Sequence, residues 1–263
     1  MINSITKIVS RLVLIAIVAL VHVSSYGAGT AGADTQESVF HDRDKKAIET
    51  IINDYLLEHP EVILRALQVL EERKQAAKAT KVKNALAKNR AALERDTNTP
   101  VAGNPNGDVT VVEFFDYRCP YCKRVGPAIQ RLLKEDSNIR VVFKEWPILG
   151  PDSYFAAKAA LGAREQGKYI EFHEKIMATR HVTESNVLKA AKELGIDLDK
   201  LRKDMKSPKV ERHIKQSMGL ARDLGIKGTP AFVIDDRLIP GATTYAALVQ
   251  AVAEARARKD KIN

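Results

Sequence analysis

The chain has 263 residues, 45% of them hydrophobic and 29% charged, with 14 Gly, 10 Pro and two Cys. That length supports a real core in one or two domains and excludes collagen-like, mucin-like and wholly disordered chains, as well as a disulfide-stapled mini-protein. The net charge of +9 comes with only 6% aromatic residues and no nucleic-acid fold signature, so no nucleic-acid partner is expected and the charge reads as solubility and weak steering.

Lys7 and Arg11 precede an apolar run from Leu12 to Val21, and a small, polar stretch follows from Ser24 to Ala33. A basic start, an apolar segment of about 7–15 residues and a small-residue exit describe a secretory signal peptide. Ala31-Gly32-Ala33 fits its cleavage site, which starts the mature chain near Asp34; the alternative is an uncleaved anchor. The expectation is residues 1–33 as signal and export into a compartment where disulfides form.

From Asp42 the pattern is helical, with Ile48, Ile51, Ile52, Tyr55 and Leu56 on one stripe. Pro60 opens a second helix with Ile63, Leu67 and Leu70 on its face, and Ala79, Val82, Leu86, Asn89 and Leu93 step 3-4-3-4 through a third stretch. Between Arg73 and Arg95 lie eight basic residues and one acid, Glu94, a run that ordinarily forms the solvated face of a helix. An arm this poor in large apolar groups cannot bury much alone. The expectation is self-association through residues 40–95; the alternative is an arm folded back onto its own domain. Thr97 to Gly107, with two Pro and two Gly, reads as the linker.

Val109–Phe115 reads as a buried strand, Pro120 to about Glu135 as a helix bent at Pro127, and Ile139–Glu145 as a second strand. About 153–224 is helical throughout. Ala231–Ile234 is a strand, Asp235-Asp236 a hairpin turn, Arg237–Ile239 its partner, and Thr244 to about Arg258 a final helix. The order is βαβ, a helical insertion, then ββα, with the boundaries 34–99 for arm and linker and 100–263 for the compact domain.

Both cysteines lie in Cys119-Pro120-Tyr121-Cys122, between strand and helix. A structural zinc site needs four ligands and finds no second Cys or His pair, so no metal is expected, nor any other cofactor. A disulfide closing so short a loop restrains the unfolded chain very little. A reversible dithiol explains the placement better: a thiolate at a helix N-terminus is stabilised by the macrodipole, and the second thiol can resolve a mixed disulfide. Cys119 is then the exposed nucleophile and Cys122 the resolving thiol, with Pro120 and Tyr121 modulating them. Glu113, in an apolar strand, is a candidate proton shuttle to Cys122, or else a strand-end carboxylate facing solvent. Asp116 belongs to the turn. His173 and His181 read as surface or packed helix residues, and Trp146 as core. Pro230, preceded by Thr229, is by pattern alone an ordinary edge-strand proline.

Strand, Cys-x-x-Cys, helix, a helical insertion and Thr229-Pro230 before a strand together resemble the thioredoxin fold in its DsbA-like form, over about residues 100–263. The motifs are Glu113-Phe114-Phe115-Asp116-Tyr117-Arg118-Cys119-Pro120-Tyr121-Cys122 and Thr229-Pro230. The implied fold class is α/β, a thioredoxin fold with an inserted all-helical subdomain, preceded by an α-helical arm. The resemblance implies Pro230 as a cis-proline facing the Cys pair, Thr229 as a contact to substrate backbone, and an acid at Glu113 beneath Cys122. The arm, with Asp54-Tyr55-Leu56-Leu57-Glu58-His59-Pro60-Glu61-Val62, looks most like ScsC- and Com1-type secreted oxidoreductases and implies a homo-oligomer, trimer or dimer. Pro-Tyr within the motif and Thr before the proline resemble the isomerase DsbG rather than DsbA. The expected function is therefore a periplasmic disulfide isomerase or reductase acting on cysteine-containing secreted proteins, kept reduced by a DsbD-like membrane partner. The alternatives are a DsbA-type oxidase recycled by a DsbB-like partner, and an envelope-associated binding or chaperone protein with a non-essential Cys pair.

Overall fold

The computed structural model describes residues 41–260; the expected signal segment and its cleavage site lie outside the described residues. The chain divides into two compact units, ending and starting at Arg65 and Ala66. In the first unit, helix α1 (Asp42–Glu58) buries no residue of its own, and Ile51, Ile52, Tyr55 and Leu57 stand exposed, Leu57 by 73%. Ile63 and Leu64, at the start of helix α2 (Glu61–Glu94), are exposed as well.

The second unit is built on a five-stranded sheet of β1 (Val101–Gly103), β2 (Val109–Phe115), β3 (Ile139–Glu145), β4 (Ala231–Ile234) and β5 (Arg237–Pro240), in the order β1-β3-β2-β4-β5. Only β2 and β3 run parallel; the other neighbours are antiparallel. β2 and β3 are buried along their whole length; β2 reads accordingly as a β-branched and aromatic run interrupted by Glu113, while β3 also buries Arg140, Lys144 and Glu145. Successive side chains point to opposite faces, so the period of two splits the core. Val111, Phe115, Phe143 and Phe232 face one side, against α3 (Pro120–Glu135) and α9 (Tyr245–Asp260). Val112, Phe114, Val142 and Val233 face the other, with Trp146.

Leu86 and Leu93 of α2 are buried in that second cluster together with Leu220 and Leu224. Buried side chains of this size each contribute about 1.5–3 kcal/mol. Cations from β3 secure the end of α2: Lys144 Nζ donates to the Ala92 carbonyl at 2.8 Å and to Thr99 Oγ1 at 2.8 Å, and Arg140 donates to the Glu94 carbonyl. The end of α2 therefore covers one face of the sheet. This changes the expected organisation in three ways. The second and third helical stretches form one helix, because nothing between Leu70 and Ala79 breaks it. The division between compact units precedes Ala66 rather than falling near residue 100. The expected linker contains β1, whose Val101 pairs with Val142.

Between β3 and β4 run α4 (Pro151–Arg164), α5 (Tyr169–Ala178), α6 (Glu184–Glu193), α7 (Leu198–Asp204) and α8 (Pro208–Asp223), the expected helical insertion. α4 buries mainly Ala side chains, and a Cβ at Gly162 would come within 3.0 Å of Leu201, so the small residues let α7 approach closely.

Candidate active site

β2 delivers the chain to the N-terminus of α3, where Cys119 is the N-cap, with extended φ −71° and ψ 117°, and Pro120 occupies the first turn. The loop between them is built on Asp116. Its buried carboxylate accepts from the backbone N–H of Arg118 at 2.7 Å, Ile148 at 2.8 Å and Leu149 at 3.0 Å, and from Ser153 Oγ at 2.8 Å. One carboxylate thus holds the Cys loop against the segment entering α4.

Both cysteines are free thiols. Cys119 Sγ donates to the Thr229 carbonyl at 3.2 Å, and the Thr229–Pro230 peptide bond is cis. The Cys119 thiol is lowered from its ordinary 9.0 to about 5, first by hydrogen bonding from Cys122, opposed by desolvation, then by Thr229 and the backbone N–H groups of Cys122 and Tyr121. Burial pushes the Cys122 thiol far up, and the bond to Cys119 and the negative charge of Glu113 push it the same way. The expectation of an exposed Cys119 needs correction. Only 4% of the residue is accessible, because the Thr229 loop lies against it; Pro120 and Tyr121, the latter 52% accessible, are the exposed residues of the motif. The Arg124 guanidinium lies 5.1 Å from the Tyr121 ring centre.

Glu113 is fully enclosed, not solvent-facing. It pairs with Phe143 on one side and Phe232 on the other, on the sheet face beneath α3. Its Oε1 has no hydrogen-bond partner among the described residues and burial raises its carboxyl to about 8, so it is largely a neutral acid at neutral pH. A cavity of about 30 Å³ lined by Glu113, Gln130, His173 and Glu174 lies beside it.

Several neighbours of the site escaped the sequence reading. Tyr117 Oη and Tyr169 Oη both donate to Glu145 Oε1, at 3.0 and 2.7 Å, and Tyr117 Oη lies 3.1 Å from His173 Nδ1. Burial drives the Glu145 carboxyl well up and His173 down to about 3. Lys123, next to Cys122, donates to the carbonyls of Ile176, Met177 and Thr179 at 3.2, 3.2 and 2.7 Å, tying the insertion to α3. The strand alternation that puts Phe143 on the α3 face puts Glu145 there too, the one signal the sequence held. His181 is exposed and Trp146 lies in the core, edge-on to Phe114. Among the described residues, no group of three His, Cys, Asp or Glu could hold a metal, and no helix is long and apolar enough to cross a membrane.

The profile of the DsbA-like thioredoxin domain matches residues 110–253, and that of the copper resistance protein ScsC N-terminal domain matches residues 44–77. Among solved structures, a thioredoxin-like oxidoreductase from Silicibacter pomeroyi DSS-3 is 53% identical, with TM-score 0.63, over 64% of this chain and 98% of that one. Proteus mirabilis ScsC, in a linker-deletion mutant form, is 26% identical with TM-score 0.64 over 84% and 99%. The thiol-disulfide exchange protein alpha-DsbA2 of Wolbachia pipientis is 33% identical with TM-score 0.63 over 68% and 97%. The chain spans about a quarter of the length of the first curated relatives it matches, such as the Na(+)/H(+) antiporter NhaA 3 of Salinispora tropica, 33% identical over 158 residues, 59% of this chain and 24% of that protein. The matched domain contains the Cys loop, the insertion and the Thr229-Pro230 turn, and the chain belongs to the DsbA-like thioredoxin domain family.

Proposed function

We propose that the protein exchanges disulfides in cysteine-containing secreted proteins in the periplasm, acting as an isomerase or reductase. The opposed shifts of the two thiols carry this reading: a Cys119 anion at neutral pH beside a Cys122 that keeps its proton. In the first step the Cys119 thiolate attacks a client disulfide; the Cys119–client S–S bond forms as the client bond breaks, and the released client thiolate takes up a proton. If that client thiol attacks another client disulfide and the last thiolate attacks the mixed bond, Cys119 returns unchanged and the client is isomerised. If Cys122 attacks Cys119 Sγ instead, giving its proton to the Glu113 carboxylate, the second client sulfur leaves as a thiolate that takes up a proton from solvent, so that the client is released as a dithiol and the Cys pair is oxidised. A carboxyl near 8 is available in both protonation states around neutral pH, which suits that exchange. Thr229 would contact the client backbone, and a DsbD-like membrane partner would return the pair to the dithiol form.

The exposed apolar stripe from Ile48 to Leu70 supports assembly of two or three copies through the arm. Several Cys pairs around one cleft would raise the effective concentration of thiol on a client.

A second reading, as a dithiol oxidase served by a DsbB-like partner, is favoured by the low Cys119 value. Stabilising the reduced form of the enzyme makes its disulfide a stronger oxidant. Refolding of scrambled ribonuclease against oxidation of reduced ribonuclease separates the two. Activity mainly in the first assay supports the isomerase; activity only in the second overturns it.

A further inference from the structure

A groove of about 1370 Å³ opens beside the Cys pair, with Tyr121 and Thr229 at its mouth. Its walls are α2, the segment from Arg222 to Thr229, and β5, the last strand of the sheet. The size exceeds the roughly 300–1,000 Å³ of small-ligand pockets and suits a stretch of polypeptide. Its apolar floor includes Val82 and Ile226.

Its charge is one-sided. Asp223 and Asp236 are the acids on the lining, and each lies against an arginine: Arg222 at 3.5 Å and Arg258 at 3.1 Å. Arg237 is likewise occupied by Glu254 at 2.9 Å. Lys78, Lys81, Lys83 and Lys227 are exposed and form no ion pair among the described residues. Three of the four belong to the basic run of α2. That run is not merely a solvated face: Leu86 and Leu93 pack on the sheet, and Lys78, Lys81 and Lys83 line the same groove as Tyr121 and Thr229. Four unpaired ammonium groups over an apolar floor are complementary to alternating acidic and apolar side chains.

Resting on the oxidoreductase reading above, we propose that this groove binds an acidic segment of the client polypeptide next to the cysteine under exchange, so that the protein prefers clients whose reactive cysteines are flanked by Asp or Glu.

The test uses the full-length protein and two disulfide peptides of equal length, one with Asp/Glu and one with Asn/Gln around the cysteines. Fluorescence anisotropy reads binding of cysteine-free versions, and exchange rates are read separately. The acidic peptide should bind roughly tenfold more tightly at low ionic strength, and most of that preference should vanish near 0.5 M salt. The triple variant K78E/K81E/K83E should abolish the preference while its reaction with the uncharged bis(2-hydroxyethyl) disulfide stays unchanged. K78Q/K81Q/K83Q, which removes charge without reversing it, should lose part of the preference and guards against a folding defect. Equal binding of the two peptides, or a preference that survives charge reversal, overturns the proposal. So does capture by phosphatidylglycerol vesicles through the same lysines without any peptide preference. Preferential binding without exchange would support the groove and contradict the oxidoreductase reading instead.

Discussion

Cys119 and Thr229, 110 residues apart in the chain, meet where Cys119 Sγ, in its protonated form, donates to the Thr229 backbone carbonyl at 3.2 Å. The contact closes the Thr229-Pro230 turn over Cys119, which is 4% accessible. Thr229 also helps to hold the thiol down, after the larger effect of Cys122. Thr229→Val keeps the shape and removes the hydroxyl. The pH midpoint of Cys119 alkylation should rise by up to about one pH unit, a measurement that leaves the backbone contact in place.

Glu113 has a cost and a use. Its folded carboxyl lies near 8 against an ordinary 4.5. The folded protein therefore holds a proton that the unfolded chain has lost, and stability falls as pH rises from about 4.5 through 8. Glu113→Gln should remove this slope and raise the melting temperature more at pH 8 than at pH 5, by a gain on the order of 3 kcal/mol at the upper end. The same variant should resolve the mixed disulfide between Cys119 and client more slowly, by roughly 10²-fold, seen as its accumulation on non-reducing gels. Unchanged resolution would remove Glu113 from the mechanism.

Reduced and oxidised forms should differ in stability in a pH-dependent way. The Cys119 thiol falls from an ordinary 9.0 to about 5 in the reduced fold, while Cys122 is pushed up and does not titrate in that window. For a depressed acid the added stability is complete above the unfolded value and is lost as pH falls toward the folded one. The melting temperature of the dithiol form relative to the disulfide form should accordingly decline between pH 9 and pH 5.

The arm and the compact unit respond to different substitutions. Leu86→Ala empties a buried position on the sheet and should cost about 2–5 kcal/mol in denaturant unfolding. Ile51→Asp with Leu64→Asp changes exposed positions. It should reduce the mass in solution, measured by light scattering, and leave the unfolding of the compact unit near wild type. An unchanged mass would contradict assembly through the arm.

Much of the domain was legible because local signals and burial agree. Pro120 starts α3, the β-branched runs mark β2 and β3, and Asp235-Asp236 marks the hairpin, where Asp235 adopts φ 56°. β1 was missed because its three residues lie among Pro and Gly turn formers, and only pairing with β3 makes them a strand. Leu86 and Leu93 have the spacing of an exposed seam, and spacing alone does not say which surface covers them. The partnerships of Glu145 with Tyr117 and Tyr169, and of Lys123 with the end of α5, are tertiary and leave no local trace. The burial of Cys119 comes from a turn far along the chain, which no reading of the Cys motif contains.

The most direct measurement is the pH dependence of Cys119 alkylation by iodoacetamide in the reduced protein, with Cys122→Ala distinguishing the two sulfurs and removing the hydrogen bond between them. The wild-type rate should follow a single titration centred near pH 5, and loss of the Cys122 hydrogen bond should move it upward. A wild-type midpoint close to the ordinary 9.0 would mean that Cys119 is a thiol at neutral pH, and the exchange chemistry proposed for this site would fail.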